Sequence, residues 1–293
     1  MAATLTGVRN LFLLLCLLAC GLAPAQAQTA AGALTPQQAR ALVERVLATE
    51  SRAAEDLGHA SHPMRYRLHK TSPRLSSTKE IVETRDGDVA RLLTINGQPL
   101  SADDEQREQA RLDALLANPS LQQHRKQSED GDAARAMKIL RVLPSAFLYQ
   151  FAGTAVAPSG VVEKFTFSPN PRFDPPDMET GILTAMAGEL WIDPVQERVV
   201  RLAGSLQQDK NLALGLVALD KGGWVEINQA DVGNHQWRIV ELKLKMNARI
   251  LFKAKPSDSV QEYSEFAPLP ADLSYGQAIE ILRSIPGGGQ GNR

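Results

Sequence analysis

The sequence predicts an α+β fold built on one large, curled antiparallel sheet, a half-open barrel with a helical lid or insertion. Three observations carry that expectation. An amphipathic helix with a strong start opens the folded part, strand-like alternation dominates from residue 146 onward, and a run of helical, highly charged sequence interrupts the strands in between. Many antiparallel strands with one solvated face form a sheet that twists, and a sheet of this size curls or splits.

The first 27 residues stand apart. A basic start at Arg9, an apolar block from Leu11 to Leu22 and the small-x-small end Ala25-Gln26-Ala27 are the three parts of a secretory signal peptide. The block is too short for a stable transmembrane helix, which needs about 20 apolar residues. Residues 1–27 are therefore expected to be removed on export to the periplasm, with 28–34 a flexible segment, 35–285 a single domain and 286–293 a frayed tail. A rival reading exists, because Leu17-Leu18-Ala19-Cys20 resembles a bacterial lipobox; Cys20 would then be lipidated and anchor the protein to a membrane. Both cysteines, Cys16 and Cys20, fall in this segment, so a chain cut after Ala27 has no disulfide and no thiolate chemistry.

The helix at the start of the domain is signalled by Thr35-Pro36-Gln37-Gln38, a capping residue, a proline for the first helical position and a glutamine able to reach back. Leu42, Val43, Val46 and Leu47 share one face, and Glu44, Arg45, Glu50 and Arg52 take the rest, out to about residue 57. A strand follows near 64–70. Segments 78–85 and 89–95 flank Asp86-Gly87 and read as a hairpin with a two-residue turn. Ser101 caps a second helix with Leu112, Leu115 and Leu116 as a narrow apolar stripe, ending at Asn118-Pro119. A third helical segment covers 133–143, which makes 101–143 a helical insertion. Strands are then expected at 148–153, 161–167, 189–193, 199–206, 224–231, 237–247, 249–255 and 260–266, about eleven in one meander. Pro256-Ser257-Asp258 reads as a turn between two of them, and the proline-rich 168–176 as an ordered loop.

Function classes narrow by subtraction. The formal net charge of −1 gives no basic face for nucleic acid. The sequence contains no Gly-x-Ser-x-Gly elbow, no His-Glu-x-x-His, no phosphate-cradling glycine loop and no EF-hand loop. His59, His62, His69 and His124 lack carboxylates at ligand spacing, so no metal and no cofactor are expected. Glu83, Asp86 and Asp88 surround a hairpin tip, where solvent keeps carboxylates near their ordinary behaviour. Binding fits the residues better. Phe147, Tyr149, Phe165, Phe167, Trp191 and Phe252 sit on alternating strands and, with Leu42, Val46 and Leu47 of the first helix, are the candidate lining of an apolar cavity. Filling an ordinary core is the competing role for each aromatic. A hydrocarbon ligand gains about 0.8 kcal/mol per buried methylene, so such a site needs no catalytic motif.

The order of these features resembles the periplasmic lipoprotein-carrier superfamily, with its LolA-type carriers and RseB-type sensors. Glu83-Thr-Arg-Asp-Gly87 followed by Arg91-Leu-Leu-Thr-Ile-Asn96-Gly97-Gln98-Pro99-Leu100 looks like the family's hairpin region. Met186-Ala-Gly-Glu-Leu-Trp-Ile-Asp193 followed by Arg198-Val-Val-Arg-Leu202 is similar to its strand, acidic turn, strand habit. The resemblance implies an incomplete β-barrel whose helices roof a cavity for acyl chains. Its implied function is a non-enzymatic envelope protein that binds acyl chains or lipidated proteins, or else a scaffold or sensor working through an envelope protein partner. The charged insertion departs from the simplest carriers, and no individual family residue is carried over.

Overall fold

The computed structural model describes residues 34–58, 62–212, 216–250 and 253–285. The segment 1–33, which contains the expected signal peptide and Cys20, lies outside them, as do His59 and Phe252.

Helix α1, Pro36–Gly58, starts as its sequence dictates. The Thr35 amide donates to Gln38 Oε1 at 2.9 Å and the Gln38 amide to Thr35 Oγ1 at 3.3 Å, a reciprocal cap. Strands β1 (Met64–Thr71), β2 (Ser76–Val82), β3 (Val89–Ile95) and the two-residue β4 (Gln98–Pro99) follow as an antiparallel meander. Helices α2 (Ala102–Ala117) and α3 (Pro119–Ala146) come next. Strands β5 (Phe147–Ala157), β6 (Gly160–Pro169), β7 (Met186–Asp193) and β8 (Arg198–Leu206) form a second meander. It continues through the short β9 (Lys210–Leu212) and β10 (Val217–Leu219) to β11 (Trp224–Asp231), β12 (Trp237–Ile250) and β13 (Lys253–Pro268). Helix α4, Tyr275–Ser284, closes the described chain.

The two meanders are one sheet. Its order is β4-β3-β2-β1-β13-β12-β11-β8-β7-β6-β5, with the β9–β10 hairpin attached to β12. It is not closed: β4 and β5 are its two edges. The pairing of β1 with β13 departs from a single meander, and it has a consequence for the helices. Because β4 and β5 are opposite edges, the chain joining them, α2 and α3, runs from one border of the sheet to the other.

Two cores result. In one, Leu42, Val43, Val46 and Leu47 of α1 and Leu143 of α3 meet Phe147, Phe165, Phe167, Leu190, Ile192 and Val199 of strands β5 to β8. In the other, Val82 and Val89 meet Leu112 and Leu115 of α2 and Tyr275, Ala278, Ile279 and Leu282 of α4.

Several boundaries differ from the sequence reading, each for a local reason. Helix α3 is continuous from Pro119, not confined to 133–143. Asn118 accepts from the Ser120 amide at 3.2 Å, Pro119 suits the first turn, and the charged half is braced by Lys126–Asp130 and Arg135–Asp132 pairs. Strand β2 ends at Val82, so residues 83–88 form a wider connection than a two-residue turn. The Thr84 hydroxyl donates to Gly87 O at 2.6 Å, and Gly87 takes a φ of +111°. Pro256-Ser257-Asp258 lies inside β13, with Pro256 opposite Asn247. β1 pairs with β13 only from Val260 onward, so Pro256 occupies an open margin where its missing N–H breaks no ladder. Helix α4 has no counterpart in the sequence reading, although Ser274 and Gln277 form a capping box.

Candidate functional site

Between α1, α3 and strands β5, β6, β7, β8, β11 and β12 lies a cavity of about 380 Å³. That is within the range of small-molecule sites. Leu47, Ala53 and Ala54 of α1 and Ile139, Leu140 and Leu143 of α3 form its helical side. Phe147, Tyr149, Phe167, Leu190, Val199, Leu202 and Ile227 form the sheet side, and Ile239, 39% exposed, lies at the open part. The aromatics are mutually ordered: Phe147 and Phe167 have ring centroids 4.6 Å apart, and Tyr149 lies edge-on to Phe147 at 6.3 Å. Tyr149 donates to Leu143 O at 2.9 Å, tying β5 to the end of α3, and burial pushes its phenol well above the usual range.

The expected lining residues separate into groups. Leu47, Phe147, Tyr149 and Phe167 line the cavity. Leu42, Val46 and Phe165 are buried in the core beside it. Trp191 is elsewhere: its ring lies 5.2 Å from Lys164 Nζ and 5.0 Å from the Arg201 guanidinium carbon, and its Nε1 donates to Glu189 at 3.1 Å. Arg201 also pairs with Glu226, and Lys243 with Glu241, so Trp191 belongs to a ladder of charges on other strand positions.

One end of the cavity is polar. Glu50 is 7% exposed and holds Arg198, 9% exposed, through contacts of 2.9 and 3.0 Å. It also accepts from the Val199 amide at 2.8 Å and from Gln229 Nε2 at 3.3 Å. A buried carboxylate persists only when compensated in this way. The Arg198 guanidinium carbon lies 5.5 Å from the Trp237 ring, and Arg238 adjoins both. Glu50 falls on the α1 stripe that continues Val43, Val46 and Leu47 to Ala53 and Ala54. A charge at that register is the sequence signal for Glu50, which the structure places in the buried interface and not on the polar face of α1.

The acids of the β2–β3 connection are not all solvated, which corrects the expectation for the hairpin tip. Asp88 donates its amide to Glu129 of α3 at 3.1 Å, and Glu83 accepts from the Met64 amide at 2.9 Å. Burial, then the charges of Glu83 and Glu129, push the Asp88 carboxyl up to about 7. Burial also raises Glu83 and Glu129. His69 is occupied by hydroxyls, with Thr78 Oγ1 at 3.0 Å and Thr71 Oγ1 at 3.2 Å. Among the described residues, no three His, Cys, Asp or Glu side chains gather as metal ligands, and no helix is long and apolar enough to cross a membrane.

No protein-family model matches the sequence, and no curated protein matches it. Among solved structures, the chain is similar to a "putative outer membrane lipoprotein-sorting protein domain" from Vibrio parahaemolyticus, at 10% identity and a TM-score of 0.27, over 85% of this chain and 100% of that one. It is also similar to a DUF1329 family protein from Desulfovibrio piger, at 10% identity and a TM-score of 0.25, over 78% of this chain and 92% of that one.

Proposed function

We propose that the protein is a non-enzymatic, exported envelope protein that binds an acyl chain, free or attached to another molecule, in the cavity between α1, α3 and the sheet. The observation that carries this reading is a hollow of about 380 Å³ walled by aliphatic and aromatic side chains from both helices and the sheet. Water in such a hollow finds few hydrogen-bond partners, and hydrocarbon displaces it favourably. The N-terminal segment supports export, with Cys20 offering an anchored alternative.

The test uses the two alanines of α1 that line the cavity and are only half-buried. Ala54→Trp fills the hollow without removing a core contact. A fluorescent fatty acid is expected to bind the wild type and to lose about tenfold or more in affinity for the variant, while both melt within a few degrees of each other. Val46 would report only folding, because it is fully buried in the core. Equal binding by the wild type and Ala54→Trp would remove the cavity from consideration and favour action through a protein partner.

A further inference from the structure

We propose that the preferred occupant is an anionic amphiphile, its hydrocarbon chain along the apolar wall and its carboxylate or phosphate against Arg238 at the polar end. This rests on the acyl-chain reading of the cavity and narrows it to a ligand class.

The charges that line the first cavity are unequal in number. Two guanidiniums, those of Arg198 and Arg238, adjoin the cavity. The one carboxylate among its lining residues, Glu50, is committed to Arg198 through two contacts, to the Val199 amide and to Gln229. Arg238 has neutral acceptors instead: Trp237 O at 3.2 Å, His62 O at 3.0 Å and Gln236 Oε1 at 3.5 Å. Among the described residues no carboxylate forms an ion pair with it. Glu83 attracts it without forming an ion pair, and the Glu83 carboxylate accepts from the Met64 amide. Arg238 Nε and Trp237 Nε1 are buried and have no acceptor among the described residues. A cation taken out of water is costly without a counter-charge.

Room for a headgroup lies next to it. A second hollow of about 270 Å³ shares Ala53, Arg198, Trp237 and Arg238 with the first and extends to His62 and His235, with Asp56 as its acid. Its lining is polar where that of the first is greasy. A molecule with a chain at one end and a negative group at the other matches both, and a charge-assisted pair with Arg238 supplies its missing partner. A neutral lipid fills only the first.

The test compares palmitate with hexadecanol as competitors of a neutral fluorescent probe, N-phenyl-1-naphthylamine, on the intact protein. Palmitate is expected to displace the probe at a concentration about tenfold or more below that of hexadecanol. In Arg238→Gln that preference should vanish with hexadecanol unaffected, and Arg238→Lys should keep most of it. Equal potency on the wild type overturns the anion preference and leaves the acyl reading standing; this comparison needs no variant to fold. Failure of both compounds, or of the probe, to bind sinks the acyl reading and this inference with it. Sodium acetate is expected to displace nothing, and displacement by acetate would assign the site to a free anion and overturn the amphiphile.

Discussion

At the scale of single residues, the buried pair of Glu50 and Arg198 is the most consequential contact in the helix–sheet interface. It joins α1 to β8 at the polar end of the cavity, and each partner is close to fully covered. Removing one member leaves the other charged and unpaired, which typically costs about 3–5 kcal/mol, whereas replacing both with apolar side chains of similar size is near neutral. Glu50→Ala is accordingly expected to lower the urea midpoint sharply, and Glu50→Leu combined with Arg198→Met to recover most of the loss. A double variant as unstable as the single one would mean that the contacts to Val199 and Gln229, not the missing charge balance, set the cost. The apolar members of the α1 stripe were legible from their spacing. Glu50 was not, because a charged residue reads as solvated until a partner from a distant strand is known.

At the scale of elements, the free side of β3 shows how helices replace a missing strand. β4 covers only Thr94 and Ile95. Beyond it, the Leu92 amide donates to Glu108 of α2 at 2.7 Å, and Arg111 of α2 donates to Ala90 O. An exposed margin that invites pairing with other chains is thus satisfied by side chains. Arg91 works from the same strand. It is 2% exposed, donates to Leu282 O at 2.6 Å and Arg283 O at 3.3 Å at the end of α4, and pairs with Glu105 of α2 at 2.6 Å. A cation there also complements the helix dipole. Arg91→Met should cost about 3 kcal/mol, in the range of a broken buried pair. Limited proteolysis should then cut first between 269 and 285, and a cleavage pattern unchanged from wild type would refute the clamp. Helix α4 could have been found from the Ser274 and Gln277 pair together with Tyr275, Ala278, Ile279 and Leu282 at helical spacing. Its shortness and position after the last strand hid it.

At the scale of the molecule, alternation made the strands readable, but not their order, since the β1–β13 ladder joins residues about two hundred positions apart and no local pattern encodes it. That ladder makes β4 and β5 opposite edges and sends α3 across to where Glu129 meets Asp88. The contact carries a pH signature for the whole fold. Asp88 titrates at about 7 in the folded protein, raised by burial and then by Glu83 and Glu129, against 3.8 as its ordinary value. Between those two values the folded state keeps a proton that the unfolded chain releases, so stability falls as pH rises from about 4 to about 7 and levels off above. Groups shifted the other way, such as Glu108 and Glu226, lose their contribution only below the ordinary carboxylate range, outside that window. Partial solvation moderates the size, and a loss of about 1–3 kcal/mol between pH 5 and pH 8 is expected. Asp88→Asn carries no such charge and should show a shallower fall across the interval, set by Glu83 and Glu129, which burial also raises, and should be more stable than wild type at pH 8. Urea titrations of both proteins at the two pH values measure this; parallel pH profiles for the two would show that Asp88 ionises as freely in the fold as in the open chain.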